Sequence, residues 1–312
     1  MQRILVTGGA GFIGSHLVSS LVDLDYEVHV IDNLCTGNVE VVDPKAILHV
    51  HDITHPNTMK LIHSIQPDVI YHLAAQADVK SSILLPAGDA NTNIRGTLHV
   101  LEYCREYCNT TKVIFASTSA VYGQLQREYI TELDPTHPIS FYGLSKVTAE
   151  GYIKMYHHFH HIPYTILRFA NVYGPGQTAK GEGGVISIFM DQLTKSLPLK
   201  IHGDGAQTRD FIYVKDVVQA LIAALHGGTA LTLHVSTAKK TSINTLATLA
   251  IKIHKHYRNS DDIDIYHSPP REGDIKHSCL SNTSICKQLN WQVRYPIEKG
   301  LELTYNAKLS PQ

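Results

Sequence analysis

The sequence predicts an α/β protein: a Rossmann-type doubly wound parallel sheet with a smaller mixed α/β lobe on its C-terminal side. Three observations favour this fold. Apolar runs alternate with amphipathic stretches, a glycine-rich turn follows the first run, and this rhythm changes after about residue 170. Strand–helix alternation is typical of parallel sheets with right-handed crossovers. We therefore expect one domain over residues 1–170, to which some later segments return, and a second lobe mainly over residues 171–312.

The apolar runs predict six buried parallel strands, with helices between them. The strands are expected at Ile4–Val6, Val28–Ile31, Ile47–Val50, Val69–Leu73, Val113–Ser117 and Tyr164–Phe169. Helical patterns lie near 13–24, 56–65, 89–108 and 142–160. Later, a loop rich in Gly and Pro is expected from Asn171 to Gly184, helices near 185–196 and 215–226, and strands at Arg209–Val214 and near 231–236. In such sheets, ligands bind at the carboxyl ends of the strands where the strand order reverses.

The composition argues against two classes of partner. The 312 residues include 27 Lys plus Arg and 28 Asp plus Glu, so the basic excess that nucleic acids and anionic membranes favour is missing. No apolar run approaches the length of a membrane span. The chain enters a strand at Arg3 with no signal-peptide pattern before it. We expect a cytoplasmic protein that binds neither nucleic acid nor membrane.

The cysteines and histidines do not predict a metal site. Five cysteines are an odd number, which favours reduced thiols. Cys104 and Cys108 are four residues apart on a predicted helix, and we expect structural thiols there. Four histidines cluster at one predicted helix end: His157, His158, His160 and His161. A metal site there is the alternative, but a helix C-terminus favours polar and cationic side chains.

The glycine-rich turn predicts a dinucleotide site. Gly8, Gly11 and Gly14 follow the first strand and open the first helix, where glycines permit a tight turn and close approach of the backbone to a pyrophosphate. Asp32 ends the second strand, where a carboxylate can accept hydrogen bonds from the adenosine ribose and repel a 2′-phosphate. This favours NAD over NADP. The alternative is that Asp32 caps a loop. Asp52-Ile53, after the third strand, could border the adenine.

A second motif predicts proton transfer. Tyr142 and Lys146 are four residues apart on a predicted helix, so their side chains share one face. An ammonium near the phenol lowers the pKa of the phenol and makes it a usable base. Thr118 follows the fifth strand and can hydrogen-bond the same substrate oxygen. The spacing recurs at Tyr295 and Lys299, which we interpret as a helix start with a surface lysine.

With these motifs in order, the chain resembles the extended short-chain dehydrogenase/reductases over almost its whole length. The resemblance rests on Thr7–Gly14, Asp32–Leu34, His72–Ala75, Ser117–Gly123, Tyr142–Lys146, Arg168–Pro175, Gly203–Asp216 and Arg271–Asp274. Within that superfamily the chain is most similar to the NAD-dependent UDP-sugar 4-epimerases. The resemblance implies NAD as cofactor, a UDP-sugar as substrate, and a homodimer packed through helices near 89–108 and 142–160.

The resemblance also implies site residues. Catalysis would use Thr118 to hold the sugar O4, Tyr142 as base, and Lys146 to bind the nicotinamide ribose and tune the tyrosine. Cofactor contacts would come from Gly8, Gly11, Phe12, Ile13, Gly14, Asp32, Asn33, Thr36, Gly37, Asp52, Ile53, Leu73, Ala74, Ala75, Asn93, Tyr142, Lys146 and Phe169. Contacts with the nucleotide sugar would come from Thr118, Asn171, Val185, Arg209, Arg271, Asp274 and Ser278. Two arginines can clamp a diphosphate.

Several residues favour 4-epimerisation of a neutral hexose over other chemistry of these enzymes. Related dehydratases typically have an acidic pair after the catalytic threonine, where this chain has Ser119 and Ala120. UDP-glucuronate 4-epimerases typically have an arginine after the Gly-Pro that Gly176 and Thr178 follow here. Ser278 replaces a tyrosine that narrows some epimerase pockets, which leaves room for an N-acetyl group unless neighbouring side chains fill it.

Three alternatives remain open on the sequence: dehydration or 5-epimerisation of a 4-keto UDP-sugar, UDP-glucuronate 4-epimerisation, and a non-catalytic NAD-binding sensor. Such sensors commonly lose the tyrosine or the lysine, and this chain keeps both Tyr142 and Lys146.

Overall fold

The computed structural model describes residues 2–125, 127–179, 184–258, 263–270 and 275–309. In these ranges the strands are β1 (Arg3–Thr7), β2 (Glu27–Asp32), β3 (Ile47–Val50), β4 (Val69–His72), β5 (Lys112–Thr118), β6 (Tyr164–Phe169), β7 (Asn171–Tyr173), β8 (Leu199–His202), β9 (Thr208–Arg209), β10 (Phe211–Tyr213), β11 (Leu231–Val235), β12 (Thr241–Ser242) and β13 (Ile265–Ser268). The helices are α1 (Phe12–Asp23), α2 (Thr58–Ile65), α3 (Val79–Leu84), α4 (Pro86–Ala90), α5 (Gly96–Tyr107), α6 (Phe141–His160), α7 (Val185–Thr194), α8 (Val214–His226), α9 (Ile243–Arg258), α10 (Thr283–Leu289) and α11 (Ile297–Leu309).

Seven strands form one sheet in the order β11-β6-β5-β4-β1-β2-β3, and every neighbouring pair is parallel. The chain moves outward from β1 to β3 on one side and from β4 to β6 on the other, so the order reverses between β1 and β4. Helices α2, α5 and α6 cover one face, where Ile62, Val100 and Ile153 are buried. Helices α1 and α8 cover the other face, where Leu17 and Leu221 are buried. This confirms the predicted doubly wound sheet.

One strand and one helix from the second half of the chain pack with this sheet and its helices. Strand β11 pairs with β6, from Leu231 opposite Thr165 to Val235 opposite Phe169, and α8 packs against α1. The remaining strands form three small pairs: β7 with β10 and β8 with β13 are parallel, and β9 with β12 is antiparallel. Helices α7, α9 and α11 enclose a separate apolar core beside them. The lobe is therefore mixed α/β, and the division of the chain near residue 170 stays a prediction.

Strand β3 differs from its prediction as a buried strand. Ile47 is 48% exposed and Val50 is 66% exposed. The cause is topological, because β3 is the last strand of the sheet and pairs with β2 alone. An apolar run predicts a strand but contains no information on whether that strand lies at the edge or in the centre.

The helix predicted near 89–108 is confirmed in extent, but it contains a π turn that the sequence did not predict. Between α4 and α5, residues Asn91–Arg95 form a π turn, which is wider than an α turn. Asn93 lies buried in this turn and donates hydrogen bonds to the Ser145 hydroxyl and the Gln76 carbonyl, both at 2.9 Å. The wider turn therefore brings one amide side chain between α6 and the loop after β4.

The strand predicted at Arg209–Val214 is interrupted at Asp210, which separates β9 from β10. The buried carboxylate of Asp210 accepts hydrogen bonds from the Thr237 amide and hydroxyl at 2.9 and 2.6 Å and from the Ala238 amide at 3.0 Å. Burial raises the pKa of Asp210 to about 6, against the opposing effect of these hydrogen bonds. The residue that separates β9 from β10 is therefore a buried carboxylate that is bonded to another segment of the chain.

Asp210 predicts a pH dependence of stability with a definite sign. Because its folded-state pKa lies above the ordinary value of 3.8, the folded chain binds the proton more tightly than the unfolded chain does. Its contribution should therefore be fully present below about pH 4, fall by about 3 kcal/mol as the pH rises to about 6, and stay constant above. The free energy of unfolding of wild type minus that of Asp210→Asn should decrease through this window in urea titrations.

The matched control is Asp204→Asn, which changes an exposed aspartate in the same lobe. Its difference from wild type should not follow this profile. Equal pH slopes for wild type and Asp210→Asn would contradict the prediction.

Candidate active site

The turn between β1 and α1 has the geometry of a phosphate cradle. Gly8 has φ +74°, and a Cβ added there would lie 2.7 Å from the amide nitrogen of Ala74. A Cβ on Gly14 would overlap the carbonyl oxygen of Gly8. These two positions therefore require glycine. Gly11 precedes α1, and no side chain in the described ranges caps that helix, so its first amide groups can face an anion.

Asp32 lies at the end of β2 beside this cradle. Its carboxylate is 8% exposed and accepts hydrogen bonds from the amides of Ala10 at 3.0 Å and Leu34 at 2.9 Å. A Cβ on Gly37 would lie 2.9 Å from the same carboxylate. Asp32 thus does cap its loop, which was the alternative, and each of its oxygens keeps further capacity to accept a ribose hydroxyl.

Asp52 follows β3 and is bonded to the loop that follows β2. The Asn33 amide donates to Asp52 at 2.9 Å, and the amide and hydroxyl of Thr54 donate at 2.8 and 2.7 Å. Burial opposes the shift, but the hydrogen bonds from Thr54 and Asn33 lower the pKa of Asp52. The side chain of Ile53 is 5% exposed and packs under Gly96, so it lies in the core.

His72 connects β1 and β4, the two strands between which the strand order reverses. The sequence analysis named this histidine only as part of a motif. The Thr7 hydroxyl and His72 Nδ1 are 2.7 Å apart, and His72 Nε2 and the Thr97 hydroxyl are 3.0 Å apart. Burial, with a smaller effect of Lys146, lowers the pKa of His72 to about 3, so the ring is neutral. The Ala74 amide donates to Thr7 at 3.2 Å, which fixes the Leu73–Ala75 loop against β1.

The predicted catalytic residues lie where α6 meets the end of β5. Thr118 ends β5, and its hydroxyl accepts a hydrogen bond from the Ala120 amide at 3.1 Å. A Cβ on Gly143 would lie 2.6 Å from the Ala120 carbonyl oxygen. The first turn of α6, which contains half-buried Tyr142, therefore packs directly on the turn that follows Thr118.

Lys146 lies one helical turn further along, between α6 and β5. Its ammonium donates to the Ala116 carbonyl at 3.0 Å and lies 4.7 Å from the centre of the Phe115 ring. The side chain is almost entirely buried. By contrast, Lys299 of the repeated spacing is exposed and pairs with Glu302 at 2.8 Å, and α11 begins just after Pro296. The interpretation of that second copy as a helix start is confirmed.

Three of the predicted contacts with the nucleotide sugar, Asn171, Arg209 and Ser278, lie around β9. The Asn171 amide and side chain both donate to the Asp210 carbonyl, at 2.9 and 3.0 Å. The Arg209 guanidinium and the Ser278 amide both donate to the Thr208 carbonyl, at 2.9 and 3.3 Å. Val185 is the first residue of α7, and Phe169 is buried at the end of β6. Arg271 and Asp274 lie outside the described residues.

Sequence reasoning missed a buried ion pair beneath α6. Glu150 follows Lys146 by four residues, and the Arg168 guanidinium binds its carboxylate at 2.6 and 2.9 Å. The Ser117 hydroxyl donates to the same carboxylate at 2.6 Å. The available signal was an arginine within the apolar run that became β6, because a buried charge in a strand needs a partner.

Neither a metal cluster nor a membrane helix occurs in the part of the chain that the structure describes. No group of three or more His, Cys, Asp or Glu there could hold a metal ion. Cys104 is buried and Cys108 half-buried, as expected of structural thiols, and His157 bonds the Ile162 carbonyl. No helix in the same ranges is long and apolar enough to cross a bilayer.

The chain is similar to known proteins over nearly its whole length. The family model described as GDP-mannose 4,6 dehydratase matches residues 5–304. A Methanocaldococcus jannaschii protein provisionally named a UDP-glucose 4-epimerase is 41% identical over 304 residues, which cover 97% of both chains. The Thermotoga maritima UDP-glucose 4-epimerase, solved with UDP-glucose, has a TM-score of 0.93 at 38% identity and 99% coverage of both chains. The Thermus thermophilus enzyme, solved with NAD, has a TM-score of 0.91 at 34% identity and 98% coverage of both.

Other similar proteins act on different sugars or by different chemistry. The UDP-N-acetylglucosamine 4-epimerase of Methanobrevibacter ruminantium, in complex with UDP-N-acetylmuramic acid, has a TM-score of 0.92 at 32% identity, with 99% of this chain and 98% of that chain covered. Arabidopsis thaliana UDP-glucuronic acid decarboxylase 1 is 32% identical over 321 residues, 96% of this chain and 68% of that one. The chain therefore belongs to the extended short-chain dehydrogenase/reductases and to the family described as GDP-mannose 4,6 dehydratase.

Proposed function

We propose that this protein is an NAD-dependent 4-epimerase of UDP-hexoses. The observation that supports this most strongly is the packing of Gly143 on Ala120, which brings the helix with Tyr142 and Lys146 to the strand end with Thr118. The family membership and the similarity to UDP-glucose 4-epimerases agree with it. The reaction is a reversible inversion at C4 of the sugar, through a transient 4-keto sugar.

The residues at the switch point fit NAD. Gly8 and Gly14 would receive the pyrophosphate at the uncapped end of α1, and Asp32 would accept the adenosine ribose hydroxyls. The Thermus thermophilus neighbour was solved with this cofactor. When bound, NAD supplies the chemistry of accepting a hydride from the sugar C4 and returning it. Because no net oxidation occurs, the cofactor need not exchange between turnovers.

The chain's own residues would manage the proton and the orientation of the sugar. The Tyr142 phenolate would take the proton from O4 and later return it, and the Thr118 hydroxyl would hold the same oxygen. Lys146 would keep positive charge beside the phenol. Arg209, with Arg271, would grip the diphosphate while the ketose turns about that tether, so that the hydride can return to the opposite face of C4 and the proton to O4.

The two residues after Thr118 support epimerisation over dehydration. Ser119 and Ala120 occupy the positions after the catalytic threonine, and neither can serve as an acid or base for removal of the C5 proton and the C6 hydroxyl. Epimerisation needs no further carboxyl group. Decarboxylases and dehydratases among the relatives make this distinction necessary.

We further propose that the sugar pocket accepts N-acetylhexosamines as well as hexoses. Ser278 is half-buried, and its amide bonds the Thr208 carbonyl immediately before Arg209. A serine there leaves more space at the sugar C2 substituent than a tyrosine would. The similarity to a UDP-N-acetylglucosamine 4-epimerase agrees with this breadth.

An exposed apolar stripe supports a homodimer. On α6, Tyr152, Met155 and Phe159 are 42%, 49% and 63% exposed and lie at three- and four-residue spacing on one face. Ile83 on α3, a helix that neighbours α6, is also exposed. Exposed apolar surface of this kind marks protein–protein interfaces. We infer that two copies of the chain pack through α6 and its neighbouring helices.

The reaction can be tested directly. Incubation with UDP-glucose should give UDP-galactose in NMR spectra, with no loss of water and no accumulation of NADH. Tyr142→Phe should lower kcat by about 10²- to 10⁴-fold, because it removes the base, while the bound NAD content stays unchanged. Tyr295→Phe, which alters the second copy of the spacing, is the matched control and should keep full activity. A 4-keto-6-deoxy product, or full turnover by Tyr142→Phe, would reject the proposal.

The substrate range can be tested at Ser278. We expect wild type to interconvert both UDP-glucose with UDP-galactose and the corresponding N-acetylhexosamines. Ser278→Tyr should lower kcat/KM for the N-acetyl pair about tenfold or more by filling the space at C2. The hexose pair on the same variant is the internal control and should change little. Absence of N-acetyl turnover by wild type would end this part of the proposal.

The dimer can be tested on the apolar stripe. The double substitution Met155→Asp and Phe159→Asp should give a monomer in light scattering, because each buried carboxylate would lack a partner. Leu133→Asp alters a fully exposed apolar residue outside the stripe and should leave the dimer intact. A monomeric wild type at micromolar concentration would contradict the inference.

A further inference from the structure

We propose that Glu150 is a positioning residue: it holds α6 at one register along β5 and so sets the distance between Tyr142 and Thr118. The inference rests on the proposed function for its kinetic readout. The observation behind it is that Glu150 continues the stripe of α6 that contains Tyr142 and Lys146. Residues four apart on a helix share one face, so one face of α6 presents a base, a cation and a carboxylate in succession.

Two contacts join this stripe to neighbouring residues of β5. Lys146 donates to the Ala116 carbonyl at 3.0 Å, and one helical turn later Glu150 accepts from the Ser117 hydroxyl at 2.6 Å. Thr118 is the next residue of β5. A sliding movement of α6 along the strand would break both hydrogen bonds together. Local geometry at Thr118 therefore depends on a contact two turns away from Tyr142.

The arginine that pairs with Glu150 also contacts the far end of the turn that follows β5. Arg168 binds Glu150 through two hydrogen bonds and donates to the Tyr122 hydroxyl at 2.5 Å, with its guanidinium 5.0 Å from the Tyr122 ring centre. Tyr122 ends the turn that begins after Thr118. Ser117 and Tyr122 thus flank the catalytic turn, and both bond the same ion pair.

The network continues from Tyr122, whose hydroxyl also approaches the Thr131 carbonyl at 3.3 Å, to β11 and the segment before α10. Burial raises the pKa of Tyr122 to about 12, so its hydroxyl keeps a proton that it can donate to His234 Nε2 at 2.5 Å. His234 Nδ1 then donates to the Ser281 carbonyl at 3.0 Å. Burial, the largest effect, lowers the pKa of His234, consistent with a neutral ring. The ion pair therefore also connects the catalytic turn to the segment that follows Ser278.

A core ion pair could serve folding alone, and the two roles predict different results. A pair that only stabilises the fold would lower activity in proportion to the unfolded fraction. A positioning pair should lower kcat while the KM for the UDP-sugar and the bound NAD content stay unchanged, because misplacement of about 1 Å costs up to about a hundredfold in rate.

The experiment uses the full-length protein with three substitutions. Ser117→Ala removes the bond from β5 but leaves the Glu150–Arg168 pair intact, and it should lower kcat about tenfold at unchanged KM. Glu150→Gln keeps the shape and an acceptor for Ser117 but removes the charge, and it should lower kcat about a hundredfold. Lys154→Ala is the matched control, because Lys154 approaches the same carboxylate at 3.7 Å from the solvent side and is 44% exposed.

Hydrogen exchange gives a readout that does not depend on turnover. In Ser117→Ala, peptides covering residues 117–122 and 140–146 should exchange faster than in Lys154→Ala, while the rest of the sheet stays protected. An inactive wild type would reject the proposed function and leave this test in place. Unchanged exchange in both peptides, or losses in kcat no larger than the loss of folded protein, would overturn the positioning role.

Discussion

The contact between the first turn of α6 and the turn after β5 is the constraint on which the candidate site depends. Gly143 lies so close to the Ala120 carbonyl oxygen that a methyl group would not fit. This closeness places a phenol, an ammonium and a threonine hydroxyl at one strand end although they come from separate segments. The glycine cradle at β1 lies two strands away in the same sheet, so this turn and the three side-chain groups are held by one sheet.

The predictable part of this molecule is the part that local patterns encode. The strands of the central sheet, the cradle at Gly8 and the helix with Tyr142 and Lys146 follow from apolar runs, glycine spacing and a four-residue repeat. The exposure of Ile47 in β3 did not follow, because the position of a strand within a sheet is a property of the topology. The π turn around Asn93 did not follow either, since the hydrogen bond that accompanies it reaches a residue of another helix.

The buried polar groups were the hardest to foresee, and they organise both halves of the site. Asp210 lies where a predicted strand is interrupted, and its carboxylate accepts hydrogen bonds from the segment at Thr237. Its backbone carbonyl accepts a hydrogen bond from the Asn171 side chain. Glu150 and Arg168 bring together a strand, a helix and a turn. Arg168 stands out in the sequence only as a charge within an apolar run, and Asp210 and Glu150 look like ordinary charged residues. Their roles depend on partners 18 to 46 residues distant, which no window of local sequence contains.

The burial of the Glu150–Arg168 pair has a consequence for how the protein responds to ionic strength. Both side chains are at most 4% exposed, whereas the Arg105–Glu102 pair on α5 is about one-third exposed. Dissolved ions screen charges that water can reach and have little access to a pair enclosed by protein. Concentrated salt would therefore weaken attractions between charges on the outer surface of the helices and leave the alignment of α6 with β5 intact.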